Sequence, residues 1–302
     1  MKISKKDLWI FMAPTMVLLL IFTFVPFIAG VLISFFQMGV KSLLFPSTIK
    51  FVGLANFWQV LTDPIFYHSL WNTVIVLVVA LPIGVVVSLS LAVLIGSKLV
   101  KFPTLYRVGY YLPAVSNGVA VALVWKWLLN PDLGLVNSVL AKVGITGPNW
   151  LNDPHTAILC IIALCVWGGL GGNVIFYSAS LGSISESVKE AAELDGANGF
   201  QKFRHIYVPL LVPTTVYIGI MSLIGYLQLF NEPMLLTNGG PVNNTMSVVL
   251  YIYQKSFGGD YNLGYASAIS VVLMLIIVAI SYFNLRKFSQ SVDFSKKKKK
   301  HD

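Results

Sequence analysis

One stretch, EAAELDGANGFQKFRHIYVP (residues 190–209), concentrates the side chains able to do chemistry. It holds Glu190, Glu193, Asp195, Lys202, Arg204 and His205 in a chain whose charged fraction is only 11%. Their spacing suits recognition rather than reaction. Ser187-Val188-Lys189-Glu190 fits a capping box, with the Ser187 hydroxyl closing a helix start and Glu190 reaching back to it. Val188, Ala191, Ala192 and Leu194 continue that helix. Gly196 follows Asp195 where a left-handed residue would end it, a conformation glycine adopts without strain. Asn198 caps a second short helix, on which Phe200, Phe203, Ile206 and Tyr207 recur as one apolar face. Pro209 suits the first turn of the element that follows. The expected product is helix, elbow, helix, with an aromatic face and a charged rim. Its acids at least match its bases, which disfavours a Lys/Arg-rich helix lying on lipid headgroups. A groove in a partner protein suits it better.

Elsewhere the residue types needed for catalysis do not gather. Cys160 and Cys165 are five apart and do not share a helix face, so free buried thiols are expected. His68, His155, His205 and His301 are scattered, and no Cys/His cluster has metal-ligand spacing. GGLGGN (168–173) is glycine-rich but matches neither the phosphate loop nor the dinucleotide fingerprint. The same stretch, preceded by Trp167, allows two readings. Gly168 and Gly172 form a small-xxx-small pair of the kind that packs membrane helices. Alternatively, four glycines in five residues make a locally irregular wall beside a cavity.

These segments must be positioned by membrane helices. The chain is 56% hydrophobic, with a mean hydropathy of +0.78, and soluble domains carry about 25% charged residues. Six apolar runs reach the roughly 20 residues that cross a bilayer: about 9–36, 70–96, 108–129, 156–183, 209–231 and 263–285. They lack the alternation of barrel strands, so the fold class expected is all-α membrane protein, one permease-like domain over 1–302. The first run is too long for a signal-peptide core and is expected to be retained. With the N-terminus inside, 16 of the 21 Lys and Arg fall on inner segments. This asymmetry places both termini and the 184–208 loop in the cytoplasm. The basic tail, 288–302, points to anionic membrane lipid and not to nucleic acid. No ionisable residue falls in the centre of a run, and Lys126 and Glu232 are expected at outer ends, reaching the interface. A gradient-driven carrier would need such groups in the membrane. Any energy for transport must therefore come from another subunit.

At this point the sequence resembles a known family. Glu190-Ala191-Ala192, Asp195-Gly196-Ala197, Ile206 and Pro209 look like the EAA loop of bacterial ABC-importer permeases. NEPMLLTNGGPVNNT (231–245), GYASAIS (264–270) and YYLPAVSNGVAVALVWKWLLNP (110–131) are similar to the carbohydrate branch, in particular the larger subunit of maltose-type importers, though without that subunit's large extracytoplasmic insertion. The resemblance covers roughly 9–288. It implies a type I importer permease fold of six helices in the bacterial cytoplasmic membrane, with 184–208 as a coupling loop. It also implies a second homologous permease, two cytoplasmic ATPase subunits carrying the ATP and Mg, and an extracytoplasmic binding protein, with no cofactor on this chain. Glu190, Ala191, Ala192, Asp195, Gly196, Ala197, Phe200 and Phe203 would contact the ATPase, the two phenylalanines filling its groove. Alignment by motif puts Gly168, Gly169, Gly172, Ser222, Tyr226, Leu229, Ala114 and Gly118 at sugar-contacting positions, and Asn173 and Asn117 are added as polar candidates. The solute implied is an oligosaccharide or related polyol. Glycerol-3-phosphate is the rival solute, although a phosphate favours a basic pocket residue that the central helix positions do not supply. A membrane scaffold without passage is the rival of another class.

Overall fold

The computed structural model describes residues 5–97, 100–259 and 261–298. Lys2, Lys98, Lys299, Lys300 and His301 lie outside the described residues. In chain order the helices are α1 (Trp9–Ile33), α2 (Ala55–Thr62), α3 (Pro64–Ile95), α4 (Pro103–Val115), α5 (Gly118–Leu128), α6 (Leu135–Lys142), α7 (Pro154–Gly182), α8 (Glu186–Leu194), α9 (Gly199–Leu210), α10 (Val212–Leu227), α11 (Asn231–Leu236), α12 (Val248–Phe257) and α13 (Leu263–Lys298). Strands β1 (Phe36–Gln37) and β2 (Lys50–Phe51) form one antiparallel ribbon. Among the described residues four helices are long and apolar enough to cross a bilayer: α1, α3, α7 and the Leu263–Arg286 part of α13. The pair α4 and α5, bent by 100°, and the pair α9 and α10, bent by 67°, make six if each pair is one span.

The two bends have local causes. The run at 108–129 is not one helix, because Ser116 and Asn117 are both extended and the Asn117 carboxamide caps α5, accepting from the Val119 N–H at 2.9 Å. Pro113 in the last turn of α4 lacks the N–H that would continue the helical ladder. The run at 209–231 is also divided. It breaks at Leu211, where Pro213 at the start of α10 has no N–H, and α10 stops at Leu227. Pro209 therefore sits in the last piece of α9 and not in the first turn of the following span. The run expected from 70 begins at Pro64, since Asp63 accepts the Ile65 N–H at 2.8 Å and so closes the helix start.

The chain divides into two compact units. One comprises residues up to Phe66 together with Tyr251–Ile276. Within it Asn56 donates to the carbonyls of Ser34 and Phe36, both at 2.9 Å, and the Asp63 carboxylate accepts from the hydroxyls of Tyr251 and Tyr265. Burial pushes the Asp63 carboxyl upward. The two tyrosine hydroxyls and the N–H groups of Ile65 and Phe66 outweigh that effect and hold it below the usual carboxylate value.

The other unit, built mainly on Tyr67–Leu250, carries two apolar cores. In one, Val76 and Ala80 of α3 meet Ala122 of α5 and Cys160, Ile161 and Leu164 of α7. Both cysteines are free and buried in this core. In the second, Leu89 and Ala92 of α3 meet Val174 and Tyr177 of α7 and Ile218 of α10. Polar pairs tie α7 to α10: Tyr177 donates to the Thr215 hydroxyl at 3.1 Å, and the hydroxyls of Ser180 and Thr214 are 2.7 Å apart. Helix α4 crosses α7 so closely that a Cβ on Gly171 would sit 2.5 Å from the Tyr110 carbonyl oxygen. Small residues permit such backbone approach in membrane bundles.

Candidate functional site

Within this second unit, α4, α5, α7, α10 and the segment entering α11 surround a cavity of about 490 Å³. That size lies within the range of small-molecule sites, about 300–1,000 Å³. The break between α4 and α5 falls on its wall, with Pro113 and Ala114 on one side and Gly118 on the other. Irregular backbone at membrane depth is tolerated where it lines a cavity. Trp167 contributes an aromatic surface, its ring 5.9 Å from that of Trp125. Tyr226 of α10 reaches the wall of α7, and its hydroxyl lies 3.9 Å from where a Cβ on Gly169 would stand.

The glycine stretch divides into separate roles. Gly168 and Gly169 line the cavity, Gly171 makes the close crossing with α4, and a Cβ on Gly172 would meet nothing within 4 Å. A Cβ on Gly168 would also meet nothing, so the Gly168/Gly172 pair is not a packing face within this chain.

Of the residues read from the sequence as sugar contacts, Ala114, Gly118, Gly168, Gly169, Asn173, Ser222, Tyr226 and Leu229 come together on this cavity. Gly172 and Asn117 do not. Gly172 is not among the residues lining the cavity, and the Asn117 carboxamide is engaged as the cap of α5. Sequence reasoning missed the polar group Gln228, Asn231 and Glu232, which follows the end of α10 and completes the lining. Glu232, expected near the outer end of a run, is one of the residues lining the cavity. The signal available was a run of polar residues directly after an apolar helix.

The charged stretch forms its elbow with two changes. Gly196 has φ +72°, its N–H donates to the Glu193 carbonyl at 3.1 Å, and the Ala197 N–H donates to the Ala192 carbonyl at 3.0 Å. These are the paired bonds of a glycine-terminated helix end. Asn198 and Gln201 cap α9 reciprocally, at 2.9 and 2.8 Å, and Lys202 bridges back to Glu193 at 3.1 Å. The first change concerns the start of α8. Ser185 occupies the cap position without accepting from a helix N–H, its hydroxyl lying 2.7 Å from that of Ser187 inside the first turn, so the capping box on Ser187 and Glu190 does not form. The helix starts two residues too early for it. The second change concerns the aromatic face. Phe203 and Tyr207 pack against the protein's own core of Leu89, Val174 and Tyr177. Phe200 is 68% exposed and Leu194, missed as a contact, is 90% exposed. Glu190, Ala191, Asp195 and Gly196 are exposed with them, Ala197 is half-buried and Ala192 is buried. The outward surface is thus an apolar pair, Leu194 and Phe200, beside carboxylates.

Residues 66–291 match the family described as binding-protein-dependent transport system inner membrane component. The chain belongs to this family. Among curated relatives, the permease is 34% identical over 281 residues to the arabinooligosaccharides transport system permease protein AraP of Bacillus subtilis, covering 92% of this chain and 87% of that protein. It is 35% identical over 278 residues to the lactose transport system permease protein LacF of Rhizobium radiobacter, covering 91% of each. Its fold is that of a chain in the crystal structure of a bacterial alginate ABC transporter in complex with an alginate pentasaccharide-bound periplasmic protein. The TM-score there is 0.77 at 23% identity, over 92% of both chains. The permease is therefore a multi-pass membrane subunit with the ABC-importer permease fold, and its role in the transport system is non-catalytic.

Proposed function

We propose that this permease passes an oligosaccharide, or a related sugar or polyol, inward through the 490 Å³ cavity. The observation that carries the reading is the lining. An indole face at Trp167, a phenol at Tyr226, carboxamides at Asn173, Gln228 and Asn231, the Ser222 hydroxyl and the Glu232 carboxyl stand among apolar side chains. Sugars have apolar ring faces that stack on aromatics and hydroxyl rims that need hydrogen-bonding partners. Relatives named for arabinooligosaccharide and lactose transport support the same class. ATP and Mg act on two separate ATPase subunits. The Leu194–Phe200 knob at the elbow is the seat for one of them, by the logic of an apolar anchor in a groove with a charged rim. A second permease of the same kind pairs with this one, and a binding protein delivers solute at the opposite face. The charge asymmetry puts both termini and the elbow in the cytoplasm of a bacterial cell.

The test is Tyr226→Ala in the assembled transporter. Loss of one stacking and hydrogen-bonding side chain is worth about 1–2 kcal/mol, a five- to thirtyfold fall in uptake of the transported sugar. Assembly with the ATPase and basal ATP turnover should remain at wild-type levels. Undiminished uptake by the variant would remove this cavity from the solute path.

A further inference from the structure

The cavity has one ionisable acid or base of ordinary range on its wall. Of the nineteen residues lining it, Glu232 is the single Asp, Glu, Lys, Arg or His. It is the second residue of α11, partly buried, and it faces the same space as Tyr226 and Asn173. Among the described residues no basic side chain forms an ion pair with it. Lys126 of α5 lines a different hollow of about 260 Å³ with Asn130, Asn149 and Asn152. There its ammonium donates to the Leu235 carbonyl at 3.4 Å.

From this arrangement we propose that Glu232 gives the permease its selectivity for uncharged solutes, excluding uronates, sulfonates and phosphates from the cavity. The identity of the solute as a carbohydrate rests on the reading above; the sign of the filter does not. Two effects act together. Between apolar walls the effective dielectric is far below that of water, so an anion entering beside a carboxylate is repelled enough to change occupancy tenfold or more. A neutral sugar is favoured by the same group, because a carboxylate accepts from adjacent hydroxyls and such charge-assisted bonds are about twice as strong as neutral ones. A phosphate site would show the opposite chemistry, with a guanidinium or ammonium on the wall.

The filter can be read without knowing the solute. In a Cys160→Ala, Cys165→Ala background, Ser222→Cys places a single thiol on the cavity wall of the assembled transporter. Its modification rates are measured with a cationic reagent, trimethylammonium-ethyl methanethiosulfonate, and an anionic one, sulfonatoethyl methanethiosulfonate, each corrected for its rate with a free thiol. With Glu232 in place the corrected cation-to-anion ratio should be at least ten. Glu232→Gln should bring it close to one, and Glu232→Asp, which keeps the charge, should preserve it. A ratio that is the same in Glu232 and Glu232→Gln proteins overturns the filter, as does a thiol that neither reagent reaches. The carbohydrate reading stands or falls separately. If the ratio collapses as expected while Tyr226→Ala leaves sugar uptake intact, the filter holds and the solute path has been wrongly identified. If Tyr226→Ala blocks uptake while the ratio is insensitive to Glu232, the path holds and the filter is absent.

Discussion

The elbow offers the clearest separation of backbone conformation from side-chain contact. Gly196 has φ +72°, and a Cβ placed on it would meet nothing within 4 Å. Any substitution penalty is therefore conformational and not steric crowding by neighbours. A non-glycine residue in the left-handed region costs about 1–2 kcal/mol, and a β-branched one sits at the upper end or beyond because its χ1 is also restricted. Asn tolerates the region better, through local hydrogen bonding of its short polar side chain. Gly196→Ala should reduce the population of the formed elbow about fivefold, from roughly 1 kcal/mol, and Gly196→Val about thirtyfold, from roughly 2 kcal/mol. Gly196→Asn should stay near wild type. The quantity at stake is the pair of bonds from Gly196 and Ala197 back into α8 and the Glu193–Lys202 bridge, which together fix α8 against α9. The assay is purification of the membrane complex from cells, with ATPase retention and solute-stimulated ATP turnover measured for each variant. The expected order is Gly, Asn, Ala, Val. A Gly196→Val protein with full coupling would refute the elbow as the link. An Asn variant as impaired as Val would refute the left-handed conformation as the reason.

Three further outcomes follow from the geometry. Gly171→Ala should fail to assemble, since its Cβ would stand 2.5 Å from the Tyr110 carbonyl oxygen, whereas Gly172→Ala should be silent and Gly169→Leu should assemble but lose uptake; expression, ATPase co-purification and uptake distinguish the three. Asp63→Asn should lower the thermal midpoint of the detergent-solubilised protein, by a loss of about 2 kcal/mol for hydrogen bonds to a charged group. Because the folded Asp63 carboxyl lies below the usual carboxylate value, its contribution is complete above the usual value and lost as pH falls through the folded one, so wild type and variant should converge in acid. A thiol introduced by Glu186→Cys should resist membrane-impermeant reagents in intact cells, and one introduced by Val242→Cys, at a position 85% exposed, should react; the reverse pattern would overturn the orientation drawn from Lys and Arg counts.

The helical membrane class was legible because apolar run length is a direct consequence of bilayer thickness. The breaks within the runs were less so. Ser116-Asn117 and Leu211 lie in segments still apolar enough to read as runs, and hydropathy does not register a chain that turns while remaining in lipid or protein. The clue at each was a proline, Pro113 and Pro213, which removes a backbone donor and so frees the helix to end. At the elbow the glycine stop and the Asn198 cap were readable, since both are local and follow from one or two residues. The side of the amphipathic face was not. Phe203 and Phe200 are three apart and share a face on paper, yet one packs on Leu89 and Val174 while the other points outward.

The glycine stretch shows how far spacing can take a functional assignment. Gly168, Gly169, Gly171 and Gly172 are chemically identical, so sequence alone left packing and cavity open as readings of the whole group. The structure divides the group: Gly168 and Gly169 line a cavity, and the close packing contact falls on Gly171 and not on the Gly168/Gly172 pair. A helix turns about 100° per residue, and neighbouring glycines therefore face different surroundings: Gly169 faces the Tyr226 hydroxyl, while two positions on Gly171 faces the backbone of α4. What decides each role is the helix on the other side, and those partners are remote in sequence. The same holds for Glu232. Its position after an apolar run says only that a carboxyl follows the helix; that it lines the cavity with Tyr226 and Asn173 depends on helices remote in sequence.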